Sequence, residues 1–177
     1  MVALKGGDKL EAALSEIAKK LTKATKLSVG FMADATYPDG TSVAMVAALD
    51  EYGHGKTPPR PFFRTMIAKE SGEWGDLLAA ALKATDGDVK KALGQLGAVI
   101  VGQLQQSIID THEPALSSLT LMLRGMRSQA KYREMPFGQL VSEAKARLDA
   151  GLSNFGPSTK PLIDTGVMLR SIDSVVE

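Results

Sequence analysis

Apolar positions recur along this chain with helical spacing in some stretches and strand-like alternation in others. From Asp8, the residues Leu10, Ala13, Leu14, Ile17, Ala18 and Leu21 fall on one helical face, and Asp8 with Glu11 forms a capping box. LSVGFMA at 27–33 breaks that period and reads as a strand, because Val29 and Phe31 favour extended backbone. YPDG at 37–40 is a turn with proline in its second place. Ser42 then caps a short helix through VAMVAALDEY that Gly53 ends; apolar nearly all round, that helix is expected to be buried.

A second helical stretch runs from Phe62 to about Lys83, weakened by Gly72 and Gly75. Asp86 opens a third, the longest, whose Val89, Leu93, Leu96, Ile100, Leu104 and Ile108 share a face. Residues 112–136 lose the period around Pro114 and read as a loop carrying Arg124, Arg127, Lys131 and Arg133. The stripe returns at 137–152 with Phe137, Leu140, Val141, Ala144, Leu148 and Leu152, before the turn-rich link NFGPSTKP. The end, DTGVMLRSIDSVVE, reads as a turn or short helix followed by a strand. The expected fold is α+β and helix-rich, with one long central helix and a small antiparallel sheet pairing the two separated strands.

Composition narrows the function classes. The 177 residues suit one globular domain with its own core, and 21 basic against 20 acidic residues give no net field to attract nucleic acid or an anionic membrane. With no cysteine, disulfides, thiolate nucleophiles and cysteine metal ligands are all excluded. The N-terminal MVALKGGDKLEAAL lacks the apolar core of a signal peptide, and the most apolar run, 92–104, is too short and glutamine-interrupted to cross a bilayer. A soluble protein made in the cytoplasm, without a membrane partner, is expected.

GHGKT at 53–57 imitates the end of a phosphate-binding P-loop. The pattern needs glycine five positions before Gly55, where this chain has Asp50, and needs a helix opening at the lysine, where this chain has Pro58-Pro59. A tight turn is expected instead, with no saturable nucleotide binding. Asp110, His112 and Glu113 form the one tight titratable cluster, a candidate metal or acid–base site if the chain is a small hydrolase, or simply a polar helix end. Neither histidine belongs to a nucleophile–base–orienter set, so no catalytic residue, cofactor or metal is expected. The loop cations with Tyr132 and Phe137 read either as a nucleic-acid contact or as a solvated surface. PPRPFF reads either as a preorganised peptide ligand or as a stiff connection whose Phe62 and Phe63 anchor the next helix.

VAALDEYGHGKTPPRPFFR at 46–64 resembles the central signature of the tail-completion or neck proteins of tailed bacteriophages, a family of head–tail joining and minor tail proteins. HEPALSSLTLMLRG at 112–125 resembles that family's proline-leucine-serine loop, and KPLIDTGVMLRSI at 160–172 its proline-leucine-aspartate-threonine-glycine motif, in the same order. The resemblance divides the chain into a core of 1–125 plus 157–177 and an inserted basic loop and helix at 126–156, expected to be an arm reaching a neighbouring subunit. It implies a structural virion protein that forms a ring, sixfold by analogy with tails, at the junction of capsid portal and tail. Neighbouring neck, connector and tail tube proteins would be its partners, with non-specific DNA contact in the lumen. A tail terminator capping the tube is the alternative. On this resemblance the assembly contacts are Tyr52, Gly53, Pro59, Arg60, Pro61, Phe62, Phe63, Arg64, Asp164, Thr165 and Gly166. Arg60 is expected to project as a stiff exposed cation for a neighbour's carboxylate, and Asp164 to cap the residues that follow it.

Overall fold

A computed structural model of the chain describes residues 26–153 and 158–177, together with Ser15. The N-terminal helix expected from Asp8 to Leu21 lies outside the described residues. The fold is α+β and helix-rich, with a two-stranded antiparallel sheet and one 22-residue helix. In chain order the elements are β1 (Leu27–Phe31), α1 (Val43–Tyr52), α2 (Phe62–Glu70), α3 (Trp74–Ala84), α4 (Val89–Asp110), α5 (Ser118–Arg127), α6 (Phe137–Asp149), α7 (Val167–Arg170) and β2 (Ile172–Val176).

β1 and β2 pair as the strand patterns anticipate, in a register that sets Leu27 opposite Val176 and Phe31 opposite Ile172. Lys26 and Glu177 extend the ladder with reciprocal backbone bonds of 3.3 and 3.0 Å. Leu27, Val29 and Phe31 alternate onto the core face beside the buried Ile172. The sheet lies on α4, and Gly97 lets it come close. A Cβ at that position would stand 2.7 Å from Ser174 Oγ and 3.0 Å from Leu27 Cδ1.

The α4 face is set by Leu96, Ile100, Leu104 and Ile108, all buried, with Val43 and Ala47 of α1, Phe62 and Met66 of α2, and Leu162 and Met168 completing the core. Phe31 meets Phe62 edge to face at 6.2 Å. Asp88, two residues beyond the expected opener Asp86, caps α4 by accepting from Lys91 N at 3.1 Å.

Four expectations need correction. α1 is not buried all round: Val43, Ala47 and Glu51 are buried, whereas Met45, Leu49 and Tyr52 are exposed. A uniformly apolar helix gives no periodic signal as to which face packs, so the neighbouring elements decide. The stretch 62–83 is two helices, because a 3₁₀ turn at Ser71–Glu73 interrupts it at Gly72. Residues 112–136 are not all loop. α5 occupies Ser118–Arg127, capped by Ser117 accepting from Thr120 N at 3.2 Å.

The fourth concerns the insertion. A boundary at 126 would cut α5, and it is α5 with α6 that forms a helical pair with a small core of its own: Met122, Met126, Tyr132, Leu140 and Ala144. Of the stripe expected at 137–152, Leu140 and Ala144 are buried while Phe137 and Leu152 are exposed. Of the four loop cations, one leaves the cluster and three stay exposed. Arg124 turns inward, Arg127 donates to the Arg133 carbonyl at 3.3 Å, and Lys131 Nζ sits 4.5 Å above the Tyr132 ring. Arg147 of α6 also lies over that ring, at 5.1 Å, and hydrogen-bonds its hydroxyl, tying α6 to the Ala130–Tyr132 turn.

Candidate functional site

α1 stands as a ridge between two hollows, and the residues of all three signatures meet along its flanks. Its C-terminal end is shaped by the P-loop look-alike. Gly53 ends the helix at φ 76°, and a Cβ there would lie 2.9 Å from both Pro59 N and Thr57 O. His54 and Thr57 exchange backbone hydrogen bonds of 3.0 and 2.8 Å, closing a tight turn with Gly55 at its tip. No helix begins at Lys56; the next starts at Phe62, after Arg60 N has donated to the Asp50 carbonyl at 2.7 Å.

Arg60 does not project. It is 4% exposed, and its Nε donates to the Pro114 carbonyl at 2.9 Å, tying the first signature to the second. Pro59 and Pro61 are on the surface around it. The prolines fix the backbone direction, but that direction carries the guanidinium inward. Arg60→Ala should therefore destabilise the isolated protein by about 2 kcal/mol, the scale of a lost charge-assisted hydrogen bond. A urea titration checks it, and an unchanged midpoint would restore Arg60 to a purely intermolecular role.

The residue that the sequence reading missed is Glu51. Its carboxylate, on a residue 4% exposed, accepts from Phe63 N at 2.8 Å, Arg64 N at 3.1 Å and Arg64 Nε at 2.8 Å. α2 has Pro61 at its N-cap position and no local side-chain cap. Glu51 supplies the missing acceptor from another helix, and its charge suits the positive end of the α2 dipole. A signal existed: a helix starting after proline without Ser, Thr, Asp or Asn must find an acceptor elsewhere. Arg64 also donates to the Glu51 carbonyl at 3.0 Å and lies 4.9 Å over the Tyr52 ring. The hollow on this side, about 400 Å³, is lined by Ala44, Ala48 and Tyr52 of α1 and by Phe63 and Ile67 of α2.

The hollow on the other flank, about 200 Å³, brings Asp50, Arg124 and Asp164 together beneath Tyr37. Arg124 gathers the 160–164 turn, donating to the Lys160 carbonyl at 2.8 Å, Pro161 at 2.9 Å and Ile163 at 3.4 Å, with Asp164 Oδ2 3.8 Å from its Nε. Asp164 thus faces Arg124 and does not cap α7; Thr165 Oγ1 accepts from Val167 N at 3.4 Å instead. Gly166 takes φ 74°, and a side chain there would meet Arg170 Nη1 at 2.9 Å.

Burial pushes the Asp50 carboxyl above its ordinary range, with Arg60 and Arg124 pulling it partly back. The Tyr37 phenol is likewise raised, first by burial and then by the Asp50 and Asp164 charges. An acid whose folded pKa is raised is relieved as pH falls, because the folded state then takes up the proton more readily than the unfolded chain. Wild-type thermal stability should exceed its neutral-pH value, relative to Asp50→Asn, as the pH drops from 7 into the mildly acidic range. A difference between the two proteins that stays constant with pH would remove Asp50 as the cause.

The 110–113 cluster does not close into a site. Asp110 Oδ1 accepts from Gln106 at 2.8 Å, Glu113 accepts from Ala115 N at 3.0 Å, and His112 is exposed. Among the described residues no group of three or more His, Cys, Asp or Glu side chains is placed to hold a metal ion, and no helix is long and apolar enough to cross a membrane. No protein-family model, no curated protein and no solved structure matches this chain.

Proposed function

We propose that this chain is a structural virion protein of a tailed bacteriophage, assembling with copies of itself into a ring at the head–tail junction. The observation that supports this reading is the convergence of its three family-like signatures on one surface. Asp50 comes from the first, Arg124 from the second and Asp164 from the third, and they line one hollow beside an α1 whose outer face is apolar and solvent-facing. Segments far apart in sequence that together build one rigid surface are what a docking scaffold requires, since little ordering entropy is then lost on assembly. Arg124 engages three backbone carbonyls and faces Asp164, an arrangement suited to holding loops in place. The ring would join neck or connector proteins on one side and the tail tube on the other, with DNA passing through its lumen.

Electron microscopy of the purified protein, followed by labelling of intact virions, tests this. The expected result is a closed ring, sixfold in projection, and label at the neck. Label confined to the tube end would make the protein a terminator, and absence from virions would overturn the reading.

A further inference from the structure

We propose that the exposed ridge of α1 seats in the α1–α2 hollow of a second copy of this chain, a head-to-tail contact between unlike surfaces. Met45, Leu49 and Tyr52 stand at i, i+4 and i+7, the spacing of one helical row, and are 53%, 39% and 69% exposed. No charge interrupts α1 from Val43 to Leu49, and among the described residues no segment covers the row. Contiguous apolar exposure of this kind, unlike single scattered residues, is where partners dock.

The partner is indicated by what lies beside the row. The adjoining hollow runs along α1, floored by Ala44 and Ala48 and walled across by Ile67 of α2, itself 40% exposed. Alanines one turn apart leave a groove between ridges, the shape into which the i, i+4 row of another helix packs. The matching row is on the same helix, so a second copy offers both the apolar anchors and the spacing that the groove takes.

Charge points the same way. The groove rim carries Arg64, held through Nε by Glu51 but with its side chain 55% exposed, while the far flank of the ridge carries Asp164, 3.8 Å from Arg124 and 58% exposed. A copy docked with its carboxylate flank toward Arg64 pairs opposite signs around an uncharged centre. Ridge and groove lie side by side and share only Tyr52, so a subunit that donates Met45 and Leu49 keeps the Ala44, Ala48 and Ile67 part of its own groove open for the next. Such a head-to-tail contact propagates, and closes into a ring if the rotation permits. The contact deepens the junction reading and rests on it only for ring closure.

The test uses the full chain in three forms: wild type, a ridge variant Met45→Asp/Leu49→Asp, and a groove variant Ile67→Asp. All the substituted side chains are exposed, so circular dichroism should match wild type. Sedimentation velocity should show assembly of the wild type at micromolar concentrations and association weakened about 100-fold in each variant, the effect of removing central apolar anchors. Mixing the two variants should restore dimers and nothing larger, because one intact ridge and one intact groove remain. The chain has no cysteine, so a mixture of Leu49→Cys and Ile67→Cys proteins provides a second measure, with an intermolecular disulfide expected on oxidation.

A wild type that stays monomeric overturns the contact. So does a ridge variant that assembles like wild type, or a cysteine mixture that forms no cross-link. Rings that persist in the ridge variant would sink the contact and leave the junction reading standing. Variant-sensitive assembly without label at the virion neck would do the reverse.

Discussion

Replacing Glu51 with alanine is expected to cost about 3 kcal/mol of folding stability, because it removes the acceptor for two backbone donors at the start of α2 and a charged partner for Arg64. The cost is kept below that of a fully buried ion pair by the Arg64 side chain, which is 55% exposed and can regain water. Glu51→Gln retains a carbonyl oxygen but turns an amide toward donors, so it should lose roughly half as much. Urea denaturation measures the loss, and hydrogen exchange at the Phe63 and Arg64 amides localises it. A loss under about 1 kcal/mol, or unaltered protection at those two amides, would mean that solvent caps α2 as well as Glu51 does.

Arg124→Ala should cost a similar amount, about 3 kcal/mol, but at a different place. The guanidinium is 17% exposed and holds three carbonyls of the 160–163 turn. Its loss leaves the Pro161 carbonyl without its donor, whereas Lys160 keeps Ile163 N and Ile163 keeps Ser158 Oγ, and it detaches α5 from the segment leading to α7 and β2. Arg124→Lys should recover little, because one ammonium cannot reproduce the planar fork that reaches successive carbonyls. Exchange should accelerate across 160–168 while the α4 amides, in the main core, stay protected relative to the global midpoint. Full recovery by lysine would show that charge alone, not geometry, organises the turn.

The elements with a local cause could be read from the residues alone. β1, β2, α4 and the turn at Gly53 each follow from alternation, helical spacing or a glycine at positive φ. Even the pairing of strands at opposite ends of the chain could be anticipated, since both need a partner and no third strand is available among the described residues. α5 was legible in principle. Leu119, Met122, Leu123 and Met126 keep helical spacing, but the basic residues among them suggested a solvated loop, when one of those cations in fact turns inward.

The site divides along the same line. Glycine, proline and aromatic positions in EYGHGKTPPRPFFR indicate a rigid turn by residue type, whatever surrounds them. Which way its charges point is another matter. Arg60 is buried because the Pro114 carbonyl is 54 residues away in sequence and 2.9 Å away in space. Glu51 caps a helix eleven residues downstream, and Arg124 reads carbonyls on a turn that no local pattern links to it. The exposed row of α1 was equally hidden, since a uniformly apolar helix has no preferred face until α2, α7 and β1 pack against one side of it. Short-range sterics and periodicity are written in neighbouring residues, and from them the sequence by itself determined β1, β2, α4, the fold class and the tight turn after Gly53. The partners of buried charges and the free face of α1 depend on which distant segments share a volume, and only the tertiary structure decided those.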